Sequence, residues 1–467
     1  MTDPRSLHHV RKVHCVGVGG AGMSGIARLM AARGVTVSGS DPVRTPLTGK
    51  LMGEGIRVDH AQDGRAIDRE TSLVIASAAI RQDNAEMQRA AELRVPVIKY
   101  AEAVGRLMLD RAGIAVAGTH GKTTTSSMLA WIFSVAGRDP SFLIGGEPHN
   151  LGTNARHGHG PHFVVEACEY DRSFHRFDPV AGLITNIDAD HLDYYGSEAA
   201  IRESFRQFAK GISIDGLLVA NADNEGCREV MAGLKHREVM TFGMDASDAM
   251  WRPELTDANE TTTRFRLRRH NWPVNDISLG VPGLQNVANA TAAAALADWF
   301  GIDREAVAEA LHTFRGVGRR FHLLGDFCGA PVVDDYAHHP VEIDATIRAA
   351  RLKWPERQLW VVFQPHQAFR TQAFFDDFAE ALATADKVML LDIYAAREGS
   401  ENPINRELSV RLSDAVSQLG TQSLHCEHMG DVISELRETV TDDVVVMTVG
   451  AGNVNEVAAA LVRTKTA

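Results

Sequence analysis

Residues 113–137 read GIAVAGTHGKTTTSSMLAWIFSVAG, and their pattern decides the fold. The apolar run Ile114 to Ala117 has the length and composition of a buried strand. A loop bracketed by Gly118 and Gly121 follows. Beyond it Met128, Leu129, Ile132 and Phe133 fall on one side of a helix. Strand, glycine loop and helix in that order make a phosphate cradle, because the loop and helix N-terminus point backbone N–H groups at the anion. Gly118, Thr119, His120, Gly121, Lys122, Thr123 and Thr124 are therefore candidate nucleotide ligands, with Lys122 on the β/γ oxygens and Thr123 on Mg²⁺. The strict pattern has its first glycine where this chain has Val116, so the loop is a variant.

Upstream, Gly17-Val18-Gly19-Gly20-Ala21-Gly22 repeats the arrangement after the apolar run VRKVHCVGV (10–18) and before a predicted helix over 21–33. Gly19, Gly20, Ala21 and Gly22 are candidates for a nucleotide diphosphate. Asp41 closes the next predicted strand, VTVSGSD (35–41), where a dinucleotide enzyme would hold a ribose. Two cradles in one chain suggest two nucleotides, one carried by a substrate and one supplied as ATP. An ATP-driven reaction on a nucleotide-linked substrate fits this better than simple hydrolysis.

Downstream, EACEYD (166–171) closes the apolar run FVVE, so Glu166 is the first candidate for a metal carboxylate and Glu169 the second. TNIDADHLD (185–193) puts His191 among carboxylates just past a strand, suited to binding a metal or moving a proton. Arg319 and Arg320 at a domain junction suit phosphate. DDYAHHP (334–340) and QPHQAFRT (364–371) end two later strands. There Asp335, His338, His366 and Arg370 suit an amino acid, Arg370 facing its carboxylate.

Short apolar runs alternate with amphipathic stretches along the 467 residues, which predicts parallel βαβ units in an α/β protein. We expect three domains: 1–112 and 322–467 Rossmann-like, and 113–321 a phosphate-loop ATPase domain with a mostly parallel sheet. The Thr-rich alternation TTTRFRLRRH (261–270) suggests a local antiparallel insert. A net charge of −12 argues against nucleic acid as the main partner. No run is long and apolar enough for a membrane span. Five cysteines without CxxC spacing argue against a zinc or disulfide framework, so a cytoplasmic location is expected.

GVGGAGMSGIA (17–27), AGTHGKTTT (117–125), GTNAR (152–156), TNIDADH (185–191), GVGRRF (316–321), DDYAHHP (334–340), QPH and RT (364–371) and YAA (394–396) together resemble the Mur ligase family, in order and over nearly the whole chain. The resemblance implies an ATP- and Mg²⁺- (or Mn²⁺-) dependent ligase that joins L-alanine to the lactyl carboxylate of UDP-N-acetylmuramate through an acyl phosphate. It implies that the first domain binds the UDP sugar, the second ATP and metal, and the third the amino acid. It adds Met23, Ser24, Ser77, Thr153 and Asn154 to the sugar-nucleotide site. Asn289 would contact adenine and Arg320 the γ-phosphate, while Asp335 and Tyr336 would lie on the nucleotide side of the third domain. Thr123, Glu166 and His191 would form the metal set. Lys122, Glu166, His191, Arg320 and His338 would be catalytic, His338 as the candidate base, and His338, His366 and Arg370 would line the alanine pocket. A monomer or homodimer is expected.

Several positions depart from the family pattern. Cys168 and Tyr170 stand in a segment that usually reads EADESD, Gln285 where His is common, Gln367 where Arg is frequent and Ala337 where Gly is common. The lysine that many related ligases carbamylate has no counterpart before Lys210, as expected for the alanine-adding branch. Three other readings remain open: a recycling ligase that adds a preformed tripeptide, a nicotinamide oxidoreductase built on Gly17–Gly22, and a non-enzymatic nucleotide switch. A folylpolyglutamate-type synthetase shares the phosphate loop but lacks the first domain.

Overall fold

A computed structural model describes residues 6–234, 238–258, 263–394 and 403–463. Ala395 and Ala396 of the YAA motif, and Thr261 and Thr262 of the Thr-rich run, lie outside the described residues. Three sheets, mostly parallel, give a three-domain α/β protein.

The first sheet contains β1 (Lys12–Val16), β2 (Thr36–Ser40), β3 (Arg57–Asp59), β4 (Leu73–Ala76) and β5 (Val97–Lys99), all parallel, in the order β3-β2-β1-β4-β5. That order puts a topological switch point at the carboxyl end of β1, where the glycine loop begins. Val13, Cys15 and Ile75 face the apolar side of the helix Ala21–Ala32, and each such side chain removed from water contributes about 1.5–3 kcal/mol.

The second sheet contains β6 (Ala112–Ala117), β7 (Ser141–Leu143), β8 (Ala155–Arg156), β9 (His162–Glu166), β10 (Ala181–Ile184), β11 (Leu217–Asn221), β12 (Glu238–Phe242), β13 (Trp251–Ala258), β14 (Thr263–Arg269) and β15 (Trp272–Leu279). Its order is β15-β14-β13-β12-β11-β10-β6-β9-β7-β8. Strand β6 is fully buried along its last five residues and lies between β9 and β10, parallel to both. The phosphate loop leaving β6 is thus flanked by Glu166 at the end of β9 and Thr185 after β10. The run FVVE is extended as far as Glu166, and Tyr170–Arg176 turns into a 3-10 helix with Asp171 and Arg172 at positive φ. Glu169 has already left the extended backbone (φ −75, ψ −27), and its carboxylate meets Lys122 of the phosphate loop.

The third sheet contains β16 (His322–Phe327), β17 (Ala330–Asp335), β18 (Gln358–Phe363), β19 (Lys387–Leu391), β20 (Gln422–Cys426) and β21 (Val444–Val449), in the order β16-β17-β21-β18-β19-β20. Only β16 runs antiparallel to its neighbour. The chain forms two compact units, one of residues 1–254, 266–277 and 288–314, the other of residues 255–265, 278–287 and 315–467. The first unit holds the first sheet and the phosphate loop. The second holds the third sheet.

Candidate active site

In the first unit Gly121 caps the helix Lys122–Val135 with no side-chain hydrogen bond, so the N–H groups of its first turn are available to an anion. Gly118 has φ +139, and a Cβ there would sit 1.9 Å from Thr185 Oγ1, so only glycine fits. The segment after β10 clamps the loop. Thr119 N donates to Asn186 O (3.0 Å), His120 N to Asn186 Oδ1 (2.7 Å), and Asp188 N to Thr119 Oγ1 (2.9 Å). The buried amide of Asn289 stands against Gly121, whose Cβ, if present, would lie 2.6 Å from Asn289 Oδ1.

Lys122 Nζ donates to Gly118 O, to Thr119 O (2.9 Å) and to Glu169, whose two carboxylate oxygens lie 3.0 and 2.9 Å away. Burial works against the ammonium, but the Glu169 carboxylate and the nearby Cys168 and Glu166 hold its pKa above the ordinary lysine value. Thr123 Oγ1 donates to Glu166 Oε1 (3.0 Å), and Gly145 N to Glu166 Oε2 (2.6 Å). His191 stands at φ +54 with Nε2 3.7 Å from both Glu169 Oε1 and Asp190 Oδ2. The expected metal set is therefore divided: Thr123 and Glu166 are in contact, and His191 pairs with Glu169. Among the described residues no cluster of three His, Cys, Asp or Glu is poised for a metal.

Around the first glycine loop, Gly17 N and Val18 N donate to Ser40 O at 2.8 and 2.9 Å. Gly20 caps the helix Ala21–Ala32, again with no side-chain cap. Asp41 accepts from Gly19 N (3.0 Å) and Val43 N (3.0 Å), so it holds the loop in shape. Buried Ser24 donates to Ala21 O (2.9 Å), and Thr153 Oγ1 donates to Ala155 O (3.1 Å). Asn154 Nδ2 donates to Ala21 O (2.8 Å), and its Oδ1 accepts from Arg28 (2.7 Å). Asn154 thereby ties β8 to the glycine-loop helix. A cleft of about 260 Å³ separates Gly20, Gly22, Met23, Ser77 and Tyr100 on one wall from Ile144, Gly145, Glu166 and Cys168 on the other. Tyr100 lies over Gly22, where an added Cβ would come within 2.7 Å of the ring, and burial raises its phenol pKa, as do Glu166 and Cys168. Cys168 opens onto the cleft, yet the protein around it and the Glu169 charge push its thiol up to about 12.

In the second unit two guanidinium groups approach the Tyr336 ring, Arg319 at 4.9 Å and Arg320 at 5.1 Å from its centre. Arg319 is the structural member, donating to Asp334 (3.3 Å), Gly450 O (2.8 Å) and Gly452 O (3.0 Å). Arg320 lies 3.7 Å from Glu342, which also receives His338 N (3.0 Å). His338 Nδ1 bonds Tyr336 O (3.0 Å), and the His366 ring centre is 6.1 Å from that of His338. Asp335 turns inward and accepts from Phe321 N (2.9 Å), Ala337 N (2.8 Å) and Thr346 Oγ1. Burial raises its pKa although Arg320 opposes the shift. Arg370 is buried on the helix Ala368–Ala373.

Three stretches match Mur ligase domains: residues 12–112 the family's catalytic domain, 116–297 the middle domain and 319–452 the glutamate ligase domain. The chain is 42% identical to the UDP-N-acetylmuramate–L-alanine ligase of Carboxydothermus hydrogenoformans, over 97% of this chain and 96% of that protein. It is 41% identical to the enzyme of the same name from Halorhodospira halophila, over 98% and 95%. The chain belongs to the Mur ligase family. The crystal structure of UDP-N-acetylmuramate–alanine ligase from Thermotoga maritima superposes on this Mur ligase with a TM-score of 0.84, at 29% identity, covering 98% of this chain and 99% of that one. The murein peptide ligase of Psychrobacter arcticus, at 24% identity and TM-score 0.72, shares the fold over 97% of this chain and 98% of that one.

Four residues of this Mur ligase's candidate site have parts that the sequence reading did not assign. Tyr100 follows β5 without a motif. Glu342 is one helical turn beyond His338, a spacing that could have flagged it. The clamping part played by Asn186 and Asp188 needs the adjacency of β6 and β10, which spacing alone does not show.

Proposed function

We propose that this Mur ligase uses ATP to join L-alanine to the lactyl carboxylate of UDP-N-acetylmuramate. The observation that carries the reading is the cleft, where the glycine-loop helix N-terminus faces Glu166 beside the phosphate loop. A sugar diphosphate on one wall would bring its acid toward the phosphoryl-transfer apparatus on the other. The names of the similar enzymes support the same substrates.

The chemistry follows from leaving groups. A carboxylate does not react with an amine, because oxide would have to leave. Phosphoryl transfer to the lactyl carboxylate gives an acyl phosphate, from which phosphate can leave when the neutral amine attacks. Lys122 screens the γ-phosphoryl charge, and the first-turn N–H groups of its helix bind the phosphate chain. Thr123 and Glu166 fit Mg²⁺ (or Mn²⁺), which takes few protein ligands when phosphate oxygens and water complete its shell. The metal would supply neutralisation of phosphate charge. His191 and Glu169 would order the water and proton network beside it. Residues 1–112 would bind the UDP sugar, 113–321 ATP, and 322–467 the amino acid through Arg370, His366 and His338. Arg320, at the junction after the ATP domain, would meet the γ-phosphate, and Asp335 and Tyr336 would serve the nucleotide from the third domain. The enzyme would work in the cytoplasm, where ATP and reduced thiols are found.

A nicotinamide enzyme would need a free carboxylate for the ribose, and Asp41 already holds Gly19 and Val43 N–H. It would also leave Lys122 and Glu166 without a purpose, and tripeptide addition has no observation in its favour. Phosphate release should require UDP-N-acetylmuramate, ATP, Mg²⁺ and an amino acid together, with L-alanine best of the twenty. Release without the sugar nucleotide would overturn the reading. Arg370→Ala should mainly raise the KM for alanine, and a change confined to the ATP KM would remove Arg370 from the amino-acid pocket.

A further inference from the structure

Beneath the first glycine loop lies a polar network that the mechanism above does not use. His14 on β1 and Glu86 on the helix Ala85–Leu93 are both buried, with Nε2 3.0 Å from Oε1. The other Glu86 oxygen accepts from the hydroxyl of buried Ser40. His14 Nδ1 contacts Ser38 Oγ (2.9 Å), Gln62 Nε2 donates to Ser40 Oγ (3.3 Å), and Asn84 Oδ1 accepts Glu86 N (2.9 Å).

Ser40 is the link to the ligand site. Its carbonyl accepts the N–H groups of both Gly17 and Val18, the two residues that turn the chain from β1 into the loop. Next to it Gly39 has no room for a side chain, since a Cβ would fall 2.7 Å from Val18. Ser40 is therefore held on one side by Glu86 and holds the loop on the other. Apolar residues of similar volume would stabilise a sheet domain as well as a buried polar pair does. Stability alone does not account for the pair's position under the anion cradle.

We propose that Glu86, tethered by His14, is a positioning residue for the sugar-nucleotide diphosphate, acting through Ser40 on the posture of the glycine loop. The inference rests on the substrate reading given above. Glu86→Leu removes both links, whereas Glu86→Gln can still accept from Ser40 and donate to His14. Ser40→Ala keeps the carbonyl and removes the tether.

The test is calorimetric binding of UDP-N-acetylmuramate to the full chain, paired with steady-state kinetics. Ser40→Ala and Glu86→Leu should each weaken binding and raise the sugar-nucleotide KM, by up to about tenfold for Glu86→Leu, with kcat and the ATP KM within about twofold of the unaltered enzyme. Glu86→Gln should restore most of the loss. Should Glu86→Leu fail to fold, Ser40→Ala decides alone. Unchanged sugar-nucleotide binding in Ser40→Ala would overturn the inference, as would kcat and both KM values moving together. Absence of binding by the unaltered enzyme would instead overturn the substrate reading, so the two failures are distinguishable.

Discussion

The molecule contains two strand–glycine loop–helix cradles built on one plan, and they differ in what surrounds them. Both leave β1 or β6 through glycines, and both open a helix whose cap has no side-chain bond. The first is shaped by neutral and acidic groups: Ser40 O, the Asp41 carboxylate and the ring of Tyr100. The second has a cation in the loop itself, Lys122, and a carboxylate, Glu166, against the adjacent threonine. A backbone cradle alone is enough to hold an anion. Moving a phosphoryl group needs charge that can follow it, and only the second loop has that charge.

The comparison is broken most directly at Lys122. Lys122→Ala should lower kcat by about 10³-fold or more while the melting temperature stays near that of the unaltered enzyme. An active variant would remove the distinction between the loops. A Cβ sharpens it. Gly118→Ala meets Thr185 Oγ1 at 1.9 Å and should reduce kcat and ATP binding together. Gly22→Ala meets the Tyr100 ring at 2.7 Å and should raise the sugar-nucleotide KM by about tenfold with the ATP KM unchanged. The reverse pattern in substrate kinetics would exchange the two assignments.

The smallest expected effect lies in the second unit. Burial raises the Asp335 pKa in the folded state, so between its unfolded and folded values the native chain holds the extra proton. Stability from this group is present at low pH and lost as pH rises through the folded value. Asp335→Asn removes that dependence. Thermal unfolding from about pH 4 to about pH 7 should show the variant gaining on the unaltered protein as pH rises. A gap that moves the other way would mean that Asp335 is held ionised.

Much of this was legible in the sequence because backbone requirements leave strong marks. Gly118 and Gly121 carry positive φ, and the apolar runs before them can only be buried strands. The alanine-rich stretch Leu284–Trp299 is a helix, since a long run of helix formers has no competing pattern. The Thr-rich stretch holds β14, which lies between β13 and β15 in the sheet. What stayed hidden depends on side-chain direction. EACEYD reads as a strand end with Glu166 as the first metal candidate and Glu169 as the second. The strand ends at Glu166, whose carboxylate meets Thr123, and Glu169 leaves the extended backbone to meet Lys122 and His191. Asp41 occupies the position expected of a ribose ligand, but its carboxylate turns back onto Gly19 N–H. Short edge strands such as β3 and β8 carry too few residues to show a period.

The central claim is that the sugar acid is activated as a mixed anhydride before the amine arrives. UDP-N-acetylmuramate labelled with ¹⁸O in both lactyl carboxylate oxygens, turned over with ATP and L-alanine, tests it by mass spectrometry of the released phosphate. The account predicts one labelled oxygen in each phosphate and one kept in the new amide. Unlabelled phosphate, with one label in the amide and the other released as water, would contradict it.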